Sequence, residues 1–266
     1  MPHVFTNGIR LAYERNGRGE RVLMIMGSSA AGRVWTMHQT PALADAGYQA
    51  ITFDNRGIPP SDVPPGKYSL ADLVDDTRGV IEALALAPCR IVGASLGALI
   101  AQELAIGSPE LVRCAVLIAT KARSDEIRNA QAKAEQALAE SGLTLPPDYE
   151  AAMAAMQMLS PATLNDDGSV PLWLDTLRLS PSTAIGRGQI WIDTSRDRRA
   201  ALRDVTAPCR VIAFEDDLVT PPHLAAEVAD AIPDCDYVEI PECGHFGYLE
   251  HPDEVNSAII EFLDKN

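Results

Sequence analysis

Ser95 stands between two glycines at the point where an apolar run gives way to a helical pattern. In the sequence CRIVGASLGALIAQELA, Gly93 and Gly97 lie two residues to either side of the serine. A sharp strand-to-helix turn of this kind lifts a serine hydroxyl above the sheet edge, where it can act as the nucleophile of acyl transfer. The glycines remove side chains that would collide where the helix doubles back on its strand. A plain glycine-containing loop with a capping serine is the alternative interpretation.

A histidine that could activate this hydroxyl lies near the end of the chain. Serine is a poor nucleophile near neutral pH, so it needs a base that accepts its proton. We assign that role to His245, which follows a turn glycine after the last apolar run, in PECGHFGYLEHP. The remaining histidines lie in an edge ribbon, on the first helix or at helix starts: His3, His38, His223 and His251.

The carboxylate that would hold this base in the right tautomer is expected in EDDLVTPP. This stretch follows the apolar run CRVIAF, and loops at the C-terminal ends of parallel strands meet at one edge of the sheet. Asp216 and Asp217 compete for the role, with Glu215 behind them. Position at the end of a strand does not separate neighbouring residues, so the residues themselves leave the choice open.

Acyl transfer also needs hydrogen-bond donors for the oxygen that becomes negative, and two backbone amides are candidates. The Leu96 N–H stands at the start of its helix, where the helix dipole assists. The second candidate is the Ser28 N–H, in the Gly-Ser-Ser loop after the apolar run VLMIM. Loss of one such donor typically costs about 10² to 10³ in rate.

Continuous apolar runs alternate with helical patterns along most of the chain, which predicts an α/β fold with a mostly parallel, doubly wound sheet. Asn7 and Gly8 join two alternating runs, so an antiparallel ribbon is expected at one sheet edge. Ser69 is a predicted helix N-cap, and further helices are predicted from Leu96 to about Ile106 and over 253–263.

Residues 122–199 break this alternation, because they contain helical patterns and no strand candidate. Helices are predicted near 124–141, 148–159, 171–179 and 182–196. We therefore predict a core domain from 1–121 and 200–266, with 122–199 inserted as a helical cap. The predicted substrate pocket is lined by side chains from the loops and the cap: Ser29, Trp35, Met153, Met156, Trp173 and Phe246. Packing within the cap would equally explain its methionines and tryptophans.

Composition narrows the classes of partner. The 266 residues carry a net charge of −15, and the isoelectric point is near 4.7, which disfavours binding to nucleic acid or to anionic membranes. No signal peptide or apolar membrane span is recognised, and five cysteines without CxxC spacing favour buried thiols over disulfides or zinc. The expectation is a cytoplasmic protein with a small-molecule substrate and no cofactor or metal; self-association as a homo-oligomer is left open.

Taken together, these residues resemble the α/β-hydrolase superfamily, in particular its capped branch of serine esterases and cofactor-free haloperoxidases. Besides the elbow, FDNRGIPPSD is similar to the family's DxRGxGxS and GHFGYLEHPDEV to its GHxxxxExP ending. The resemblance favours Asp217, four residues before a proline, and implies a cap between the sixth and seventh strands. Two positions depart from the pattern: Met26 replaces the usual histidine before Gly27, and a proline replaces the second glycine of DxRGxGxS.

The predicted activity is hydrolysis of an ester, thioester or lactone of a small to medium, partly apolar substrate through an acyl-enzyme on Ser95. A serine in place of an aspartate argues against dehalogenases and epoxide hydrolases. The resemblance equally allows a cofactor-free haloperoxidase or perhydrolase, or a carbon–carbon bond hydrolase, with the same three residues. A different class, motivated by the altered Met26 loop, is a non-hydrolytic protein that binds a small molecule or assists a cyclisation.

Overall fold

Eight strands form one sheet in the computed structural model, which describes residues 1–179 and 186–266. In chain order the strands are β1 His3–Thr6, β2 Ile9–Gly17, β3 Glu20–Ile25, β4 Tyr48–Phe53, β5 Cys89–Ala94, β6 Val112–Ile118, β7 Cys209–Phe214 and β8 Cys235–Ile240. Their order across the sheet is β1-β2-β4-β3-β5-β6-β7-β8. Only the β1/β2 and β2/β4 pairs are antiparallel. The predicted, mostly parallel sheet with an antiparallel ribbon at one edge is confirmed.

The helices of the described residues connect these strands. They are α1 Gln39–Asp45, α2 Leu70–Ala83, α3 Leu96–Gly107, α4 Glu126–Ser141, α5 Pro147–Met158, α6 Pro161–Leu164, α7 Val170–Leu179, α8 Arg199–Leu202, α9 Pro222–Ala231, α10 Gly247–Glu250 and α11 Pro252–Lys265. Short 3-10 turns cover Gly32–Met37, Pro109–Leu111 and Arg187–Trp191. The predicted Ser69 cap is confirmed: its hydroxyl accepts from the Asp72 N–H, and the Asp72 carboxylate accepts from the Ser69 N–H.

The strands carry apolar side chains on both faces, and this is why the central runs are continuously apolar. In β3, Leu23 and Ile25 join the core layer under α2, α3 and α9, whereas Val22 and Met24 join the layer under α1 and α11. All six residues of β5 are buried. Full burial of one such aliphatic side chain contributes about 1.5–3 kcal/mol, so these two layers fix the edge of the sheet from which Ser95 projects.

Between β6 and β7 the described residues form helices, a 3-10 turn and no strand. The first residues of the helix predicted over 182–196 lie outside the described residues. Over 186–196 that prediction is wrong: the chain forms the short 3-10 turn, since Gly186 takes a left-handed backbone (φ 73°). The division into a core domain and a cap over 122–199 stays a prediction. None of the helices in the described part of the chain has the length and apolar character that a bilayer span requires.

Candidate active site

Ser95 occupies a strained turn between β5 and α3. Its backbone has φ 52° and ψ −115°, a conformation that costs a non-glycine residue about 1–3 kcal/mol and persists only where the surroundings hold it. The Ser95 N–H donates to the Ile118 carbonyl at 2.9 Å. A Cβ on Gly97 would collide with the Ile25 carbonyl, and one on Gly93 would collide with the Gly97 carbonyl. Both glycines are therefore required by backbone contact. The predicted approach of the helix to its own strand explains Gly93, whereas Gly97 is required by the neighbouring strand β3.

His245 lies between Ser95 and Asp217, although the three residues come from distant loops. The His245 Nε2 is 3.1 Å from the Ser95 Oγ, and its Nδ1 is 2.7 Å from the Asp217 Oδ2. An ionised carboxylate only accepts hydrogen bonds, so Nδ1 carries the proton and Nε2 is free to accept from the serine hydroxyl. His245 is 5% exposed and Ser95 is half-buried, so the hydroxyl is the accessible end of the array.

Asp217 is held as a buried carboxylate. Its Oδ1 accepts from the Val219 and Thr220 N–H groups at 2.7 and 2.8 Å, and the Thr220 hydroxyl donates to Oδ2 at 2.7 Å. Burial alone would raise the pKa of this carboxyl, but the electrostatic interaction with His245 and the hydrogen bonds from His245 and Thr220 outweigh it and lower the pKa. Asp217 therefore stays ionised and available to the imidazole.

The two neighbouring acids are not the carboxylate bonded to His245. Asp216 is half-buried, and its backbone N–H donates to the Cys243 carbonyl at 3.0 Å. Burial, together with the nearby Glu215 charge, raises the pKa of the Asp216 carboxyl. Glu215 is exposed and accepts from the Glu242 N–H at 3.0 Å. Of the three acids that compete in the sequence, the geometry brings Asp217 to His245.

The two predicted oxyanion donors lie on the segments that flank the serine. Leu96 is buried at the first position of α3. On the other side, a Cβ on Gly27 would lie 3.2 Å from the Ser95 Cβ, so the loop that carries Ser28 passes directly beside the serine. Ser28 is exposed, and Ser29 is half-buried with a left-handed backbone (φ 58°).

The segment after β4 braces this loop, despite the proline that replaces its second glycine. The Asn55 side-chain amide donates to the Met26 carbonyl at 3.1 Å, and the Asp54 Oδ1 accepts from the Gly32 N–H at 2.8 Å. Burial raises the pKa of Asp54. Met26 itself is buried in the core layer under α1 and α11, so its side chain supplies none of the polar support that a histidine could give there.

Two residues that touch this site escaped sequence reasoning. Gln189 is 3% exposed, and its side chain accepts from the Ser29 N–H at 2.8 Å. Glu250 accepts from the Gly244 N–H at 2.7 Å and from the Ser160 N–H at 2.9 Å, and so it joins the His245 loop to the helical segment. Glu250 belongs to the ExP part of the GHxxxxExP pattern, which was a signal for it; nothing in the sequence marked Gln189.

The predicted pocket residues occupy several different environments. Phe246 is half-buried, with its ring centroid 6.5 Å from that of His245. Met153 and Met156 are 42% and 59% exposed on α5, and Trp173 is half-buried on α7. Trp35 has no exposed surface and packs against Tyr248 in the core layer under α1 and α11. The pocket roles of these residues and of Ser29 stay predictions.

A metal ion is one further group that a hydrolytic site can use. In residues 1–179 and 186–266, no three His, Cys, Asp or Glu side chains are grouped so as to hold one. The five cysteines are free thiols, and burial raises the pKa of Cys89 to about 12 and that of Cys114 to about 11.

Comparison with known proteins places this geometry among related chains. A family model described as the alpha/beta hydrolase family matches residues 22–258. The Mycobacterium tuberculosis protein named "Putative non-heme bromoperoxidase BpoC" is 46% identical over 257 residues, 96% of this chain and 98% of that protein. Its crystal structure superposes with a TM-score of 0.92 at 44% identity, over 96% of each chain. The 3-oxoadipate enol-lactonase 2 of Acinetobacter baylyi is 27% identical over 261 residues, 94% of this chain and 92% of that enzyme.

Proposed function

The chain belongs to the alpha/beta hydrolase family, and we propose that it is a serine hydrolase that cleaves an ester, thioester or lactone through an acyl-enzyme. One observation carries this proposal: the Ser95 Oγ lies 3.1 Å from His245 Nε2, while His245 Nδ1 lies 2.7 Å from a buried carboxylate. A serine that only capped a helix would not need an oriented base. The A. baylyi enol-lactonase relative supports an acyl substrate.

In the first half-reaction, the Ser95 proton moves to His245 Nε2 as Oγ attacks the substrate carbonyl. The oxygen that becomes negative accepts hydrogen bonds from the Leu96 and Ser28 N–H groups. Asp217 stabilises the imidazolium that forms. Collapse of the tetrahedral species breaks the bond to the leaving oxygen or sulfur, which takes the proton from Nε2, and leaves the acyl group on Ser95.

Water completes the cycle. His245 Nε2 removes a proton from a water molecule as the water oxygen attacks the acyl-enzyme carbonyl. The proton then returns to the Ser95 Oγ as the carboxylic acid leaves. The sequence of proton transfers needs one base that is neutral before each attack, and the hydrogen bond from Nδ1 to Asp217 sets that tautomer.

The helical segment over 122–199 is proposed as a cap that covers the substrate. Exposed Met153 and Met156, with half-buried Trp173, offer an apolar and adaptable surface. Phe246 contributes an aromatic ring directly beside the base. These side chains favour a small to medium, partly apolar acyl compound, and the net charge of −15 disfavours a polyanionic one.

Turnover of p-nitrophenyl acetate by the wild type, Ser95→Ala and Ser257→Ala tests the nucleophile. Ser257 is exposed on α11, so its variant controls for loss of a serine hydroxyl elsewhere. We expect Ser95→Ala to lose turnover and labelling by a fluorophosphonate, and Ser257→Ala to retain both. Retained turnover or labelling in Ser95→Ala would remove Ser95 from its role. A well-folded wild type that neither turns over esters nor accepts the label would favour the non-hydrolytic alternative.

A perhydrolase is the second candidate, favoured by the name of the relative that is 46% identical. Hydrogen peroxide in place of water would attack the acyl-enzyme and release a peracid, which oxidises bromide to hypobromite and is itself reduced to the acid. Bromination of monochlorodimedone, assayed with acetate, peroxide and bromide, tests this. Ser95-dependent bromination faster than ester hydrolysis would make perhydrolysis the main activity, whereas none above the Ser95→Ala background would exclude it.

A further inference from the structure

The segment over 186–191, which follows the inserted helices, lies against loops on the Ser28 side of the site. The Gly186 N–H donates to the Gly57 carbonyl at 3.3 Å, and the Gly188 carbonyl accepts from the Tyr68 N–H at 3.0 Å. A Cβ on Gly188 would collide with the Tyr68 ring. These contacts of the two glycines that precede Gln189 therefore fix where its side chain begins.

Gln189 uses both ends of its amide within this contact. Its Oε1 accepts from the Ser29 N–H at 2.8 Å and lies 3.3 Å from the Ser28 Oγ, while its Nε2 donates to the Arg56 carbonyl at 2.8 Å. A backbone N–H on one side and a carbonyl on the other allow only this orientation of the amide. The side chain thus joins the loop after β3 to the loop after β4.

The Ser29 amide that Gln189 holds adjoins the peptide whose N–H is the proposed oxyanion donor. Ser29 has φ 58°, a left-handed conformation that a serine keeps only where other contacts hold it. Met26, at the position where the family has a polar histidine, is buried among apolar side chains. The described polar support of Ser28 and Ser29 comes instead from Gln189, some 160 residues along the chain.

We infer that Gln189 is a positioning residue that fixes the loop of Ser28 and Ser29 so that the Ser28 N–H faces the developing oxyanion beside Ser95. The inference rests on the proposed serine-hydrolase function and extends it to a residue of the inserted segment. Gln189 acts through the loop and need not touch the substrate. Its removal therefore lowers transition-state stabilisation more than substrate binding.

Gln189→Met tests this, because it keeps the side-chain length and removes both hydrogen-bonding groups. With p-nitrophenyl acetate we expect kcat to fall about 10- to 100-fold, less than the 10² to 10³ of a lost donor, while KM changes little. A boronic acid that adds to Ser95 mimics the tetrahedral anion, and its affinity should fall by the same factor as kcat/KM. The pH profile of kcat/KM should keep its shape, because His245 and Asp217 are untouched.

Gln49→Met is the matched control: the Gln49 side chain bonds to Gly17 near the opposite end of β4, and this variant should retain kcat and inhibitor affinity. Gln189→Asn is a second variant in case Gln189→Met folds poorly. Its side chain is too short to bond to both Ser29 and Arg56, so kcat and boronate affinity should again be lower than in the wild type. Wild-type kcat and boronate affinity in either folded Gln189 variant would overturn the inference. Ser95→Ala turning over substrate like the wild type would instead overturn the underlying function, so the two failures are distinguishable.

Discussion

Asp217→Asn is the sharpest test of whether the Asp217 carboxylate, and not that of a neighbouring acid, orients His245. The asparagine Oδ1 can still accept from the Val219 and Thr220 N–H groups, which bind the present Oδ1 at 2.7 and 2.8 Å. The side-chain NH₂ then faces His245 Nδ1 and donates to it. Since Nδ1 must accept, the imidazole proton moves to Nε2 and faces the Ser95 hydroxyl. The histidine can no longer accept the proton of the nucleophile.

The expected loss follows from this change of tautomer. Removal of the general base and of the charge that stabilises the imidazolium costs about 10⁴ in kcat in triads of this kind, which is about 5.5 kcal/mol of transition-state stabilisation. KM should change little, because Asp217 is 1% exposed and lies behind the imidazole. The retained hydrogen bonds to Val219 and Thr220 should keep the loop folded.

Asp216→Asn provides the control, one residue away with the same change in charge. Asp216 is half-buried, and the carboxylate bonded to His245 Nδ1 is that of Asp217, so kcat should stay within about threefold of the wild type. Steady-state hydrolysis of p-nitrophenyl acetate, with active sites counted by a fluorophosphonate, measures all three proteins. A loss of less than tenfold in Asp217→Asn, or an equal loss in Asp216→Asn, would refute the assignment.

Three further variants test the scaffold. Gly97→Ala should destabilise the fold by about 3 kcal/mol or more, because the added Cβ would collide with the β3 backbone. Gly107→Ala is the control and should not destabilise the fold, since a Cβ there would meet no atom within 4 Å beyond its chain neighbours. Urea unfolding measures both variants. Glu250→Gln loses an acceptor toward Gly244 or the helical segment, so kcat should fall about tenfold and stability by about 1–3 kcal/mol; unchanged values in both assays would contradict this. Burial lowers the pKa of Lys121 from 10.5 to about 8, so the unfolded chain binds the extra proton between these values and stability rises with pH there. The difference in unfolding free energy between the wild type and Lys121→Met should therefore rise by up to about 3 kcal/mol between pH 8 and pH 10.5. A difference that does not change with pH would contradict the lowered pKa.

Elements that depend on a repeated pattern of burial could be predicted from the sequence. Continuous apolar runs such as the one before Ser95 identify strands covered on both faces, and all six residues of that strand are indeed buried. Ser95 and His245 were also identifiable, because close backbone packing around a turn restricts local residue types. Position after the strand did not separate Asp216 from Asp217, and only the family resemblance favoured Asp217. The choice depends on the turn: the Asp217 carboxylate accepts from the Val219 N–H, whereas the Asp216 N–H donates to the Cys243 carbonyl.

Hydrogen bonds between distant segments leave no repeated burial pattern in the sequence, although the ExP motif was a signal for Glu250. Glu250 and Gln189 both connect the inserted segment to this site. Glu250 links the Gly244 N–H to Ser160, and Gln189 accepts from the Ser29 N–H. The first of these acts on the loop of the proposed base, His245, and the second acts on the loop of the proposed oxyanion donor. If the cap only selected substrates, changes in the cap would alter KM from one substrate to another and leave kcat unchanged. These contacts reach the loops of the proposed base and oxyanion donor through the backbone. Changes in the insertion should therefore also alter kcat for p-nitrophenyl acetate, which is too small to require Met153 and Met156 of α5.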